Sequence, residues 1–260
     1  MGKFDWFWKA MGSTSERNNK KSKAVVADAH GLIEELSLLD DASLASAVAS
    51  TVRDGAIADK PRFLAGLSVA SQRTLGMTPF EVQNQAVLRL LEGDVIQMAT
   101  GEGKTLVGAM AATGFALQGK RVHLITVNNY LAARDAEWMR PLVEFFGLTV
   151  AAVTESSTRE ERVSAYRSDV IYAPVTEIGF DHLRDNQITS RDQTVQLPAD
   201  VALVDEADSV LVDEALVPLV LAGSEGSKQA TGQITEAVSK LDEDTDYTCL
   251  LYTSQMARGR

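Results

Sequence analysis

The sequence predicts an α/β fold, a parallel β-sheet with helices on both faces, preceded by a helical segment. Three observations predict it. Short apolar runs at residues 95–98, 121–127, 148–154, 170–173 and 201–204 alternate with stretches of helical periodicity. The runs are near-continuously apolar, as strands covered on both faces require. The first run leads into a glycine-rich turn that opens a helix over residues 106–117.

That turn, Thr100-Gly101-Glu102-Gly103-Lys104-Thr105, has the chemistry of a phosphate-binding loop. Gly101 and Gly103 let backbone N–H groups turn inward around phosphate oxygens, where a Cβ would obstruct the approach. Lys104 supplies a cation for the β- and γ-phosphates, and the Thr105 hydroxyl suits Mg²⁺. The helix adds its positive end. Met98 stands where the Walker consensus has glycine, six positions before the lysine. The plain alternative is a βα turn with a surface lysine. Strand, glycines, Lys-Thr and helix in one register favour an NTP site.

Composition narrows the class. With 260 residues, 45% of them hydrophobic and 23% charged, the chain suits one large or two modest soluble domains. No apolar run approaches the roughly 20 residues that cross a bilayer, and no signal-peptide core is seen, so a cytosolic location is the default expectation. The single Cys249 excludes an internal disulfide framework or a Cys-rich zinc site. His30, His123 and His182 lack metal-ligand spacing. Net charge is −11; the first 23 residues hold six basic side chains against two acidic, so the remainder carries −15. An acidic body argues against a broad hold on DNA or RNA, and no stable nucleic-acid partner is expected.

In chain order, residues 1–23 form a basic aromatic segment. Phe4, Trp6, Phe7, Trp8 and Met11 suit a short helix lying on an anionic membrane surface or partner, or equally one packed on the protein's own body. Residues 13–23 are polar, a linker or frayed helix. Residues 24–75 read as helical, with a turn at Asp40-Asp41 and Pro61 opening a third helix. Gln83 falls in the first turn of a helix after Thr78-Pro79. Its amide suits the edge of an adenine, although alone it would pass for an exposed helical glutamine. A helix over residues 129–146 is expected to bury Trp138, Leu142 and Phe145, and further helices are expected over 159–166 and 177–184.

Right-handed crossovers put every βα loop at one sheet edge, where ligands bind. There the strand 201–204 delivers Asp205-Glu206-Ala207-Asp208. Asp205 is placed to hold Mg²⁺ directly or through water, and Glu206 to polarise the water attacking a γ-phosphate. The plain alternative is a solvated acidic turn. Asn128-Asn129 and Gly179-Phe-Asp-His-Leu-Arg-Asp-Asn186 bring polar groups to the same edge, for coupling nucleotide state to movement or for capping and surface pairing (Arg134 with Asp135, Arg184 with Asp181).

Gly-Met-Thr-Pro-Phe-Glu-Val-Gln, Met-Ala-Thr-Gly-Glu-Gly-Lys-Thr, Thr-Val-Asn-Asn-Tyr-Leu-Ala, Gly-Phe-Asp-His-Leu-Arg-Asp-Asn and Asp-Glu-Ala-Asp-Ser-Val-Leu-Val-Asp-Glu-Ala together resemble SecA, the motor of bacterial preprotein export. The likeness runs in order from the first helices to Gly223. It implies a RecA-like, P-loop NTPase motor domain 1 over residues 76–223 behind a helical region at 24–75, with ATP and Mg²⁺ as cofactors. Gln83 corresponds to the adenine contact, Thr100, Gly101, Glu102, Gly103, Lys104 and Thr105 to the phosphate loop, Asp205 to the metal-linked carboxylate and Glu206 to the catalytic base. The resemblance further implies work at the SecYEG channel on preprotein substrates, on the cytoplasmic side, peripheral to the inner face of the plasma membrane.

Ala99, Glu137-Trp-Met139 and Val212-Asp-Glu-Ala-Leu-Val-Pro-Leu-Val-Leu-Ala222 resemble the accessory, second-copy SecA. The housekeeping type has a basic residue at position 99 and Arg-Thr at 216–217. Residues 224–248 are expected to begin a truncated preprotein-binding domain, and 249–260 an atypical tail, so the chain reads as an N-terminal fragment lacking the second motor domain and weakly active alone. Two rivals remain: a nucleic-acid helicase, since Asp205-Glu-Ala-Asp208 spells DEAD, and a non-enzymatic module docking through its basic aromatic head.

Overall fold

The computed structural model describes residues 14–220; the aromatic head at residues 4–11, the 224–248 stretch and the 249–260 tail lie outside them. Three helices, α1 (Thr14–Ser37), α2 (Asp41–Ala49) and α3 (Lys60–Leu75), build the first part. Helix α2 starts where the Asp40 carboxylate accepts the Ser43 N–H at 2.8 Å, satisfying a donor that the first turn leaves free. Pro61 occupies the first turn of α3, where its missing N–H costs nothing. Leu36, Leu44, Val48, Phe63, Leu64 and Leu67 are fully buried where these helices pack.

Of the two readings of residues 13–23, the helical one holds over 14–23, which are the opening turns of α1. One expectation fails here. The stretch 24–75 is not all helix. Strands β1 (Val52–Arg53) and β2 (Ala56–Ile57) pair antiparallel across Asp54-Gly55, with φ of 52° and 72°. Positive φ at both central residues is the hairpin turn for which Asp-Gly is preferred.

Helix α4 (Glu81–Leu91) leads to the glycine-rich loop at residues 100–103 and α5 (Lys104–Leu117) leaves it. The sheet follows: β3 (Val122–Thr126), β4 (Val150–Ala152), β5 (Val170–Pro174) and β6 (Val201–Val204), all parallel, in the order β4-β5-β3-β6. Helices α6 (Asn129–Glu144), α7 (Arg159–Ala165) and α8 (Val175–Asp185) connect them. Alternation sends Val170 and Tyr172 to the face covered by α5 and α6, and Ile171 and Ala173 to the face that Ala165, Tyr166 and Ile178 cover. Fully burying such a side chain contributes about 1.5–3 kcal/mol. The β3–β5 centre is therefore the strong part of the sheet, and β6, half-buried with one ladder partner among the described residues, is a weaker edge.

Two further corrections concern packing. Residues 95–98 do not form a strand. Ile96 and Met98 pack on the helical core instead, Val95 is 94% exposed, and no ladder joins them to β6. On α6 the inner face is Ala132, Ala136, Met139, Leu142 and Val143. Trp138, one residue off that stripe and so turned about 100° from Met139, is 48% exposed. Phe145 lies past the helix end and packs, partly buried, on the helical core.

Candidate active site at the carboxyl edge of the sheet

The candidate phosphate loop is built from its glycines. Gly101 and Gly103 have φ of 85° and 79°, a region that a side chain rarely enters. At Gly103 space is also short: a Cβ there would stand 2.3 Å from Gln83 Nε2. Gln83, 6% exposed, accepts the Phe80 N–H through Oε1 at 2.8 Å and donates through Nε2 to the Glu102 carbonyl at 2.7 Å. Both ends of its amide are engaged within the chain, so it braces the loop against α4. The Glu102 carboxylate accepts the Ala99 N–H at 2.7 Å.

The sheet brings the acidic motif to this loop. Register aligns Ile125 with Val204 and Thr126 with Pro174, so β3, β5 and β6 end at one level. One residue beyond β6, Asp205 N–H donates to the Ile125 carbonyl at 2.9 Å. The Asp205 carboxylate accepts the Glu206 N–H at 3.0 Å, and Glu206 adopts a left-handed φ of 51°. Its Oε1 lies 3.0 Å from Lys104 Nζ. This contact holds the Lys104 ammonium above the ordinary lysine value. Burial raises the Asp205 carboxyl, against the Glu206 N–H that lowers it.

A cavity of about 690 Å³ separates residues 94–98 from β6. Lys104, Thr105, Asp205 and Glu206 line it, with Tyr172 and Asp135. The candidates at 104–105 and 205–206 thus share one cavity, while Gln83 touches it only through the loop. The donor set fits a nucleotide with a hard divalent cation: an ammonium, loop N–H groups at the start of α5, a hydroxyl and a carboxylate. The Ala99 N–H and Lys104 already donate to anionic oxygens, those of Glu102 and Glu206.

At the same edge, Asn128 caps α6 by accepting the Leu131 N–H at 2.9 Å. Arg134 pairs with Asp135 and Arg184 with Asp181, as the spacing suggested. Sequence reasoning missed Arg162. It is buried on α7 and donates to Glu177 Oε2 at 2.7 Å, Asp181 Oδ2 at 2.9 Å, the Thr154 carbonyl at 2.6 Å and the Ser157 carbonyl at 3.0 Å. Tyr166 adds its hydroxyl to Asp181 at 2.9 Å. The available signal was Thr158-Arg-Glu-Glu161, a capping box that fixes where α7 starts and so which side Arg162 faces. Among the described residues no cluster of three or more His, Cys, Asp or Glu could hold a metal, and no helix is long and apolar enough to cross a membrane.

Comparison with known proteins agrees with this geometry. A family model described as the SecA DEAD-like domain matches residues 7–255. Protein translocase subunit SecA 2 of Corynebacterium efficiens is 61% identical over 248 residues, covering 95% of this chain and 32% of that protein. The protein of the same name from Corynebacterium jeikeium is 54% identical over 255 residues, covering 94% and 33%. That from Mycobacterium leprae is 51% identical over 243 residues, covering 93% and 31%. The chain thus spans about a third of the length of these curated relatives. A family match over nearly all its length, on a chain whose Lys104-Thr105 turn faces Asp205-Glu-Ala-Asp208 across one cavity, makes this chain a member of the SecA DEAD-like domain family.

Proposed function

We propose that this chain is the first ATP-binding motor domain of a SecA-type translocase, coupling ATP hydrolysis to movement of preproteins through the SecYEG channel. The observation that carries this is the Lys104–Glu206 contact, 3.0 Å, between the phosphate loop and the acidic turn. Bound Mg²⁺–ATP would supply the phosphoryl group to be transferred and neutralise its developing charge. The chain's residues do the rest. Lys104 and the N–H groups of residues 100–105 hold phosphate oxygens. Thr105 and Asp205 hold the cation. Glu206 orients and deprotonates the attacking water. Gln83 carries the adenine edge, and because its amide also holds the Glu102 carbonyl, base occupancy and loop shape are linked.

We read residues 76–223 as this motor domain and 24–75 as its helical support. In the whole protein a second motor domain completes the site, so the chain alone turns over slowly. The protein works on the cytoplasmic side, peripheral to the plasma membrane, with residues 1–23 meeting an anionic lipid surface. Equilibrium titration with a fluorescent ATP analogue and Mg²⁺ tests the site: binding is expected, and Lys104→Ala should weaken it at least about tenfold, the loss of one charge-assisted contact or more. No binding by the unaltered chain would overturn the reading. The literal Asp205-Glu-Ala-Asp208 keeps a helicase as the second reading, and salt-sensitive binding of single-stranded RNA would favour it.

A further inference from the structure

The phosphate loop carries its own anion. Glu102 lies within the loop, its side chain turned back so that Oε2 accepts the Ala99 N–H at 2.7 Å, while its own N–H donates to the Ala99 carbonyl at 3.2 Å. The carboxylate and the turn together close residues 99–102 into a compact ring. Gln83 Nε2, on the Glu102 carbonyl at 2.7 Å, fixes that ring to α4. A Cβ on Gly101 would meet nothing within 4 Å, so the outer side of the ring is open to an incoming group.

We propose that Glu102 sets the affinity of this loop for polyphosphates by competing, as an internal carboxylate, for the Ala99 N–H, one further donor at the entrance of the loop that a phosphate oxygen would otherwise take. The proposal rests on the nucleotide-site reading above and adds to it a residue whose side chain works against binding. An N–H to a carboxylate oxygen is a charge-assisted bond, roughly twice as strong as a neutral one, so displacing it is a real cost to any incoming anion. The negative charge of Glu102 beside the loop opposes a polyphosphate as well. Loss of the side chain removes both effects. Shortening to aspartate keeps the charge and withdraws the oxygen from reach, and thereby tells them apart.

The test uses the full 260-residue chain and two probes, inorganic tripolyphosphate and ADP, in calorimetric titrations without Mg²⁺. Glu102→Gln and Glu102→Asp are both expected to bind each probe about three- to tenfold more tightly than the unaltered chain. Equal or weaker binding by the Gln variant, or a gain with Gln and none with Asp, overturns the proposal while leaving the nucleotide site intact. Failure of every chain to take either probe overturns the nucleotide site and this proposal with it. An independent readout needs no ligand: the Ala99 amide should exchange with solvent faster in Glu102→Ala than in the unaltered chain, and equal exchange in a folded variant refutes the internal bond.

Discussion

Lys104 Nζ meets Glu206 Oε1 at 3.0 Å although 102 residues separate them in the chain. The contact exists because β6 ends level with β3, and because the Glu206 backbone takes a left-handed φ that aims its side chain back toward α5. Under the proposed function, Glu206→Gln keeps the shape and removes the base. ATP turnover by the intact translocase should fall about 10²–10⁴-fold, with nucleotide affinity kept or increased. Steady-state hydrolysis and equilibrium binding measured side by side check this, and loss of binding in step with turnover would assign Glu206 a structural role.

Gly103→Ala combines a left-handed backbone with a collision against Gln83 Nε2. Gly101→Ala has the backbone cost without the collision. The first cost is about 1–2 kcal/mol in each. Chemical denaturation should therefore rank Gly103→Ala below Gly101→Ala, the difference reporting the brace between α4 and the loop.

Arg162→Met would leave Glu177 and Asp181 buried with a missing partner. Breaking a buried pair costs about 3–5 kcal/mol, so a large fall in the urea midpoint is expected. Arg184 reaches the same Asp181, but its side chain is 49% exposed, and Arg184→Met should cost under about 1 kcal/mol. Equal losses would contradict the burial of the network.

His123 on β3 is buried with Nε2 unpartnered, its ring centroid 5.7 Å from that of Tyr166. Burial, helped by the Arg121 charge, holds its pKa below the ordinary 6.5. The unfolded chain takes the proton first, so stability is full above pH 6.5 and declines as pH falls from there toward the lower folded value. His123→Phe should flatten this part of a plot of denaturation midpoint against pH. An unchanged slope would place the acid sensitivity elsewhere.

The residues legible in the sequence are those whose meaning is local. Gly101-Glu-Gly-Lys-Thr105 and Asp205-Glu206 declare themselves through a run of apolar residues ending in a chemically specific turn, and the parallel sheet follows from unbroken apolar strands. Asp54-Gly55 was also a local signal, masked because its strands are two residues long and lie between helices. Arg162 was legible only in part. The capping box at Thr158–Glu161 sets the side it faces, and the convergence of Thr154, Glu177 and Asp181 from other elements is what reveals that it is buried. Residues 95–98 have strand composition, but a ladder needs a neighbour, and Ile96 and Met98 found the helical core instead. Gln83 has the chemistry to meet a base, and its amide also bonds the Phe80 N–H and the Glu102 carbonyl, contacts that spacing cannot disclose.

Strand β6 is joined through β3 alone among the described residues, and it carries the two carboxylates on its tip. Fraying at that margin and loss of the acidic turn are thus the same event. A ligand gripping residues 104–105 and 205–206 together would suture the margin shut, so the temperature at which the sheet opens should serve as a direct gauge of how full the site is.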